Sequence, residues 1–266
     1  MDIKKLNYPI YIVSKGRWEK PYTAQCFLNN NIDFSIVVEP QEYEKYKTTI
    51  PERNIKILPF SNLGLGSYPA RNWCWENSIE NEHSKHWIFD DNIRGFSRLN
   101  NGSRKPTNPI LAIESAESFV DRYKNIALSG FNYRYFVTKL TKYPFVSNVH
   151  VYSALLIDNY LPFRWRLKYN EDVDLCLQAL TRGYCTVLLN AFLIDKISTS
   201  AKLKGGNQDE LYKGNDPIKK ALKAQTLAEM WPQYVKIVKR FNRPHHAINW
   251  KKHFKHKLIK KITEAV

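Results

Sequence analysis

The residues able to do chemistry are gathered in a few short stretches. The apolar run Trp87–Phe89 leads directly into Asp90-Asp91-Asn92, and a second acidic run, Glu171-Asp172-Val173-Asp174, opens a helical pattern. Adjacent carboxylates repel one another unless a cation neutralises them. Oxygen ligands of this kind suit Mg²⁺ or Mn²⁺, which keep several waters and bind substrate phosphates. Two readings fit the first run: a divalent-cation site on Asp90, Asp91 and Asn92, or a turn in which these side chains cap backbone amides. Two also fit the second: carboxylates that complement a helix dipole, or a general base. Both runs in one chain point to a division of labour, one holding a metal and a leaving diphosphate, the other removing a proton. Cations suited to the diphosphate stand at Lys15 and Arg17, past the first apolar run, and at Arg71, after Gly64 and Gly66. The guanidinium fork donates two parallel hydrogen bonds, which matches phosphate.

The elements that must position these residues alternate short apolar runs with helical patterns, as in βαβ units on a mostly parallel sheet. Strands are expected at Tyr8–Val13, Phe34–Val38, Ile55–Leu58, Trp87–Phe89, Tyr133–Val137, Val149–Ile157 and Cys185–Leu189. Helices are expected after the loop Ser14–Trp18 to about Asn30, at Glu42–Lys47, Pro69–Glu80, Ser115–Tyr123 and Asp172–Arg182, the last ending at the C-cap candidate Gly183. The stretch after Asn100 is rich in turn residues, and Ser198–Asn215 lacks periodicity and reads as a loop. Two further helices are expected, Pro217–Phe241 and Asn249–Ile262, the second with Trp250, Phe254, Leu258 and Ile262 in an apolar stripe.

Composition narrows the functional classes. Among 266 residues, 43% hydrophobic and 14% aromatic content excludes a wholly disordered chain. The net charge is +16, and from Ala201 onward 16 Lys/Arg face only 5 Asp/Glu. Such a surface favours a polyanionic partner, because binding releases counterions from phosphates. Cys26, Cys74, Cys176 and Cys185 show no metal-ligand spacing and read as reduced packing residues. No apolar run of membrane-spanning length or secretory leader occurs, so a soluble cytoplasmic protein is expected. There is no GxxxxGK[ST], GxGxxG, GxSxG or HExxH, which argues against P-loop, dinucleotide-binding, serine-hydrolase and zincin chemistry. His150 reads as a core histidine in a strand, and His245 and His246 as solvent or phosphate contacts.

The succession YIVSKGR, VVEPQEYEKY, LPFSNLGLGSYPARN, WIFDDNIRGF, LSGFNYRYF and YNEDVDLCLQALTRGY, covering about residues 8–190, resembles the TET/JBP-associated glycosyltransferases. These are GT-A-fold enzymes, largely of phages, thought to add sugars to hydroxymethylated pyrimidines in DNA. The resemblance implies an α/β GT-A-like domain, expected over residues 1–213; the basic helical extension expected over 214–266 lies outside the resemblance, and a DNA role for it rests on charge alone. It implies a UDP-sugar donor with Mg²⁺ or Mn²⁺ held at Asp90, Asp91 and Asn92, where Asn departs from the commoner third Asp. It places Ser14, Lys15, Arg17 and Glu39 along the nucleotide, Arg71 and Asn72 along the diphosphate, and Glu171, Asp172 and Asp174 at the catalytic centre, with Asp172 as base. The acceptor it implies is double-stranded DNA carrying bases such as 5-hydroxymethylcytosine. Flipping of the base is expected, with Trp73, Trp75, Phe96, Tyr133, Tyr135 and Trp165 as candidate stacking surfaces. Metal-dependent nucleotidyltransferases and nucleases, and a non-catalytic DNA-binding module, are the competing classes. Pyrophosphate release from a triphosphate would mark the first, and DNA cleavage without sugar donor the second.

Overall fold

The computed structural model of the protein describes residues 3–197, 205–206, 217–240 and 243–262. In chain order its elements are β1 (Ile10–Val13), α1 (Tyr22–Leu28), β2 (Ser35–Val38), α2 (Tyr43–Lys47), β3 (Ile55–Ile57), α3 (Tyr68–Glu80) and β4 (Lys85–Asp90). Then follow β5 (Ile93–Asn100), β6 (Ser103–Thr107), α4 (Pro109–Asp121), β7 (Ile126–Tyr133), β8 (Phe145–Ser147), β9 (Ala154–Asp158), α5 (Glu171–Thr181) and β10 (Cys185–Lys196). The last are α6 (Pro217–Met230), β11 (Val235–Arg240), β12 (Arg243–Ile248) and α7 (Trp250–His253).

The sheet runs β3-β2-β1-β4-β9-β7-β10-β5-β6, with β8 paired to β10. Strands β3, β2, β1 and β4 are mutually parallel, and β7 is parallel to β10. Strand β9 enters antiparallel between β4 and β7, and β5 and β8 are antiparallel to β10. The result is the expected α/β architecture, with most strands pointing one way and helices on both faces. Alternation within each central strand feeds two cores. Ile10, Ile12, Trp87 and Phe89 face α1 and α4, while Tyr11 and Ile88 face α3 and α5. The four cysteines are free and buried.

Local chemistry explains the element ends. Pro69 sits in the first turn of α3, where its missing N–H costs nothing. Asn108 caps α4 by accepting from the Ile110 amide at 2.8 Å. The turn-rich stretch after Asn100 is the tip of the β5–β6 hairpin. Asn101 and Gly102 both have positive φ there (46° and 75°), the pairing that suits a twisted two-residue turn.

Several expectations are corrected. The strand expected at Tyr133–Val137 lies earlier, and Tyr133 is its last residue. The strand expected at Val149–Ile157 begins only at Ala154, and His150 lies in the loop between β8 and β9. The helix expected to run to Phe241 stops at Met230, because Pro232 cannot donate into the next turn. The β-branched run that follows pairs as the β11–β12 hairpin instead, where Pro244 is tolerated because both strands are edges. The helix expected over Asn249–Ile262 spans only Trp250–His253, and Phe254 is already extended. A four-residue spacing belongs equally to one helical turn and to two pleats of extended chain, so the stripe did not distinguish them. The extended segment is fixed by Ile259 N–H to Asn125 and Lys261 N–H to the Arg122 carbonyl. Of the expected loop Ser198–Asn215, only Gly205 and Gly206 lie within the described residues. No helix among the described residues is long and apolar enough to cross a membrane.

Candidate functional site

The site lies beyond the carboxyl ends of β1 and β4, where ligands bind in open α/β sheets. The cavity has a volume of about 410 Å³. From the first half of the chain, Ser14, Lys15, Arg17, Glu39, Arg71, Asp90, Asp91 and Asn92 line it, and Glu171 and Asp172 close the opposite side. Asn72 and Asp174 do not reach it, for reasons given below.

The loop after β1 is held before any ligand arrives. Ser14 Oγ meets Tyr46 Oη at 2.5 Å and donates to Asp91 at 2.7 Å. The Gly16 amide donates to Glu42 at 2.9 Å, and the Arg17 amide to Tyr46 Oη at 3.2 Å. Lys15 Nζ pairs with Glu39 at 3.0 Å. Gly206 N–H donates to the Lys15 carbonyl at 2.7 Å, so this Gly-Gly pair seats directly on the loop. Gly205 has φ +83°, and a Cβ there would meet the Gly16 carbonyl oxygen at 2.3 Å, so only glycine fits. Across the cavity, Gly66 plays a similar part with φ +77°. A Cβ on it would lie 2.6 Å from the Lys168 carbonyl oxygen, which lets the loop before α3 lie against the segment before α5.

The acidic runs separate because neighbouring residues point to different sides. Asp90 continues the Ile88 face of β4 toward α3, where Arg71 Nη2 meets one oxygen at 2.9 Å. Lys196, at the end of β10, meets the other at 2.6 Å. Burial pushes Asp90 up, but Lys196 and Arg71 outweigh it and hold the carboxyl at about 2. Asp91 turns away, taking Ser14 Oγ and Arg17 Nη1. Here burial prevails and raises the carboxyl above its ordinary range. Asn92 donates to the Ile197 carbonyl at 3.1 Å, and its own Oδ1 is buried without a partner.

A divalent cation was expected on these three residues, and the donor set does not fit one. Both oxygens of Asp90 and both oxygens of Asp91 already face partners. Among the described residues no group of three His, Cys, Asp or Glu is placed to hold a metal.

On α5 the residues two apart lie on opposite sides of the helix. Asp172 faces the cavity, with Oδ2 3.0 Å from His150 Nε2 and Oδ1 accepting the Val173 amide at 2.9 Å. Burial works against its charge, yet His150 and Arg71 overcome it and hold the carboxyl far below the carboxylate range. Glu171 beside it is raised, by burial and then by the charge of Asp172, and accepts from Ser67 Oγ at 2.9 Å. The neighbouring carboxyls are thus driven in opposite directions. Asp174 is fully buried on the far side, bound by Arg166 at 3.0 and 3.1 Å, by Gln178 at 2.9 Å and by Trp231 Nε1 at 2.8 Å. It anchors α6 to α5. Asn72 is likewise structural: it donates to the Trp165 carbonyl at 2.8 Å and accepts the Trp165 amide at 3.1 Å. Trp75, Phe96 and Trp165 are core residues, whereas Tyr133 lines the cavity and stacks on exposed Tyr135 at 5.1 Å.

Sequence reasoning missed Ser153, Lys168, Lys196 and Lys223, and it read His150, which lines the cavity, as a core histidine. None of these sits in a recognisable motif. The nearest signal was the apolar run after Cys185, which continues past Leu189 to end on Asp195-Lys196, a lysine at a strand end facing the first acidic run. Lys15, Arg17, Arg71, Lys168, Lys196 and Lys223 converge on one cavity, an assembly suited to several phosphate oxygens.

A crystal structure of a protein described as a nucleotide-diphospho-sugar transferase, from Desulfovibrio desulfuricans G20, is similar at 12% identity and a TM-score of 0.39, covering 71% of this chain and 80% of that one. No curated protein matches the chain. The family description TET-Associated Glycosyltransferase matches residues 8–206, a span that holds β1 through β10 and every site residue named above except those of α6 and β12. The chain belongs to the TET-associated glycosyltransferases.

Proposed function

We propose that the protein transfers a sugar from a UDP-sugar to the hydroxymethyl group of a pyrimidine such as 5-hydroxymethylcytosine in double-stranded DNA, acting in the cytoplasm. The observation that carries this reading is the convergence of six cationic side chains with Asp172 in one cavity of a glycosyltransferase. Ser14 and Glu39 border the nucleotide, and Lys15, Arg17 and Arg71 receive the diphosphate. Asn72 supports that wall through Trp165 and makes no donor contact.

In the reaction the bond from the anomeric carbon to the diphosphate breaks as the acceptor oxygen approaches, through an oxocarbenium-like state. Negative charge grows on the departing diphosphate, and preorganised cations lower the barrier without having to reorient. The acceptor hydroxyl becomes acidic only as its oxygen bonds to carbon, so an ionised carboxylate suffices to take the proton. Asp172 is that base, held ionised and oriented by His150. Glu171, pushed toward its neutral form, holds Ser67 and the α3 terminus rather than competing for the proton. No step is assigned to Mg²⁺ or Mn²⁺, because both carboxylates expected to bind it are engaged on both oxygens.

Two features support DNA as acceptor. Tyr133 and Tyr135 form an aromatic step from the cavity to the surface, on which an extruded base stacks. Lys236, Lys239, Arg240, Lys251 and Lys252 are exposed on the β11–β12 unit and α7, whose neighbours Lys223 and His246 line the same cavity. The test is incubation of hydroxymethylated and unmodified duplex DNA with a panel of UDP-sugars, followed by mass analysis of the nucleosides. A sugar on the hydroxymethylated base alone is expected. Glycosylation of a small molecule or protein, with DNA untouched across the panel, would overturn the acceptor.

A further inference from the structure

Lys196 is buried where a cation site was expected. Its side chain is 12% exposed and its ammonium reaches Asp90 Oδ2 at 2.6 Å and Ser153 Oγ at 2.7 Å. An ammonium has three donors, and the third makes only a long hydrogen bond to Tyr133 Oη at 3.4 Å. An oxygen entering the cavity can replace it.

The surroundings are arranged around this position. The register of β10 against β5 shifts between Asp195 and Lys196, an irregularity of the kind that re-aims a side chain. Ser153 adopts φ 62°, a left-handed conformation that costs a non-glycine residue energy. In it, the Ser153 hydroxyl meets Lys196 Nζ and Tyr133 Oη, the latter at 2.5 Å, while its carbonyl accepts the Asp90 amide at 2.7 Å. On the other oxygen of Asp90, Arg71 is 8% exposed, lies over the Trp165 ring at 4.8 Å, and has a buried Nη1 with no hydrogen-bond partner among the described residues. An uncompensated buried donor is costly unless a ligand completes it.

A dication on Asp90 would have to displace Lys196 or Arg71. The displaced charge would then sit buried within a few ångströms of the metal, with like-charge repulsion and no carboxylate. We propose that Lys196, with Arg71, takes the electrostatic place of a divalent cation, so that the nucleoside diphosphate of the donor binds without metal. Asp90 is then a positioning residue: it holds the ammonium and the guanidinium on either side of the diphosphate. This rests on the nucleotide-sugar reading above and changes what neutralises the donor.

Isothermal titration of UDP into the full chain tests it, in EDTA and in Mn²⁺, for wild type, Lys196→Gln and Lys196→Arg. Wild type is expected to bind UDP within about twofold in the two buffers. Lys196→Gln should bind at least tenfold more weakly in EDTA and regain affinity in Mn²⁺, because the substitution frees an oxygen of Asp90. Lys196→Arg keeps the charge and is expected to bind without metal, which separates loss of charge from loss of fold. Wild-type binding that appears only with Mn²⁺, or Lys196→Gln binding as tightly as wild type in EDTA, would overturn the proposal. Absence of UDP binding in both buffers would instead sink the nucleotide-sugar reading, and this inference with it.

Discussion

In the turn after β4 the acidic residues are met by cations carried on distant parts of the chain: Arg71 and Lys196 on Asp90, Arg17 on Asp91. At the start of α5 the cavity-facing acids are met differently. Asp172 has one histidine and a backbone amide, and Glu171 has a serine with Arg71 3.8 Å away. The first run is closed by guanidinium and ammonium groups in direct contact; the second is held mainly by an imidazole, a hydroxyl and a backbone amide. Charge compensation of the first kind suits binding a diphosphate, and of the second kind suits moving a proton. In the proposed reaction the two runs divide the labour, and the division falls inside each run as well as between them. Asp90 and Asp172 face the cavity, while Asp91 and Asp174 hold the walls.

The sharpest way to break this comparison is to remove the proton acceptor alone. Asp172→Asn keeps size and hydrogen bonding, so UDP affinity should stay within about twofold. The turnover should fall about 10³-fold, the middle of the range for a lost general base. Single-turnover transfer to hydroxymethylated DNA, alongside UDP titration, measures both. Equal losses in affinity and turnover would place Asp172 with the binding run and erase the distinction.

Asp174→Ala asks the converse, whether the buried partner two residues on is purely structural. Its removal strands Trp231 Nε1, leaves Gln178 Nε2 with the Arg164 carbonyl, and takes away both hydrogen bonds that Arg166 makes to it. Arg166 is 44% exposed, so the pair is only half desolvated and its loss costs about 2 kcal/mol. For a chain of this size that lowers Tm by about 6 °C. Below the new melting point UDP affinity should be near wild type, because Asp174 does not touch the cavity. A stable variant that cannot bind or turn over would return Asp174 to the site.

These splits show where the sequence was informative. Ser14, Lys15, Arg17, Glu39, Arg71, Asp90 and Glu171 follow a strand or open a helix, and a local pattern of apolar run and turn carries them to the carboxyl end of the sheet. Asp174 and Asn72 sit beside true cavity residues, and only the helical angle separates their faces. His150, Ser153, Lys196 and Lys223 reach the site through crossovers and a strand-register shift, which no local period encodes. The β11–β12 hairpin was illegible for a related reason. Its lysines and β-branched residues are compatible with either period, and Pro232 carried the decisive information.

The finest test lies within the first run, where adjacent carboxyls have opposite signs. Asp90 is held at about 2 in the folded chain against an ordinary 3.8, so its pairing stabilises the fold above the ordinary value and is lost as pH falls toward 2. The window corresponds to about 2 kcal/mol. Asp91 is raised by burial, so its ionisation opposes folding as pH rises above 3.8. Urea unfolding as a function of pH reads both. The stability difference between wild type and Asp90→Asn should shrink by about 2 kcal/mol between pH 5 and pH 2. The slope removed by Asp91→Asn should have the opposite sign and lie at higher pH. Like signs for the two substitutions would mean that Lys196 and Arg71 do not selectively hold Asp90, and the contrast between a charge-closed binding run and a proton-exchanging run would lose its basis.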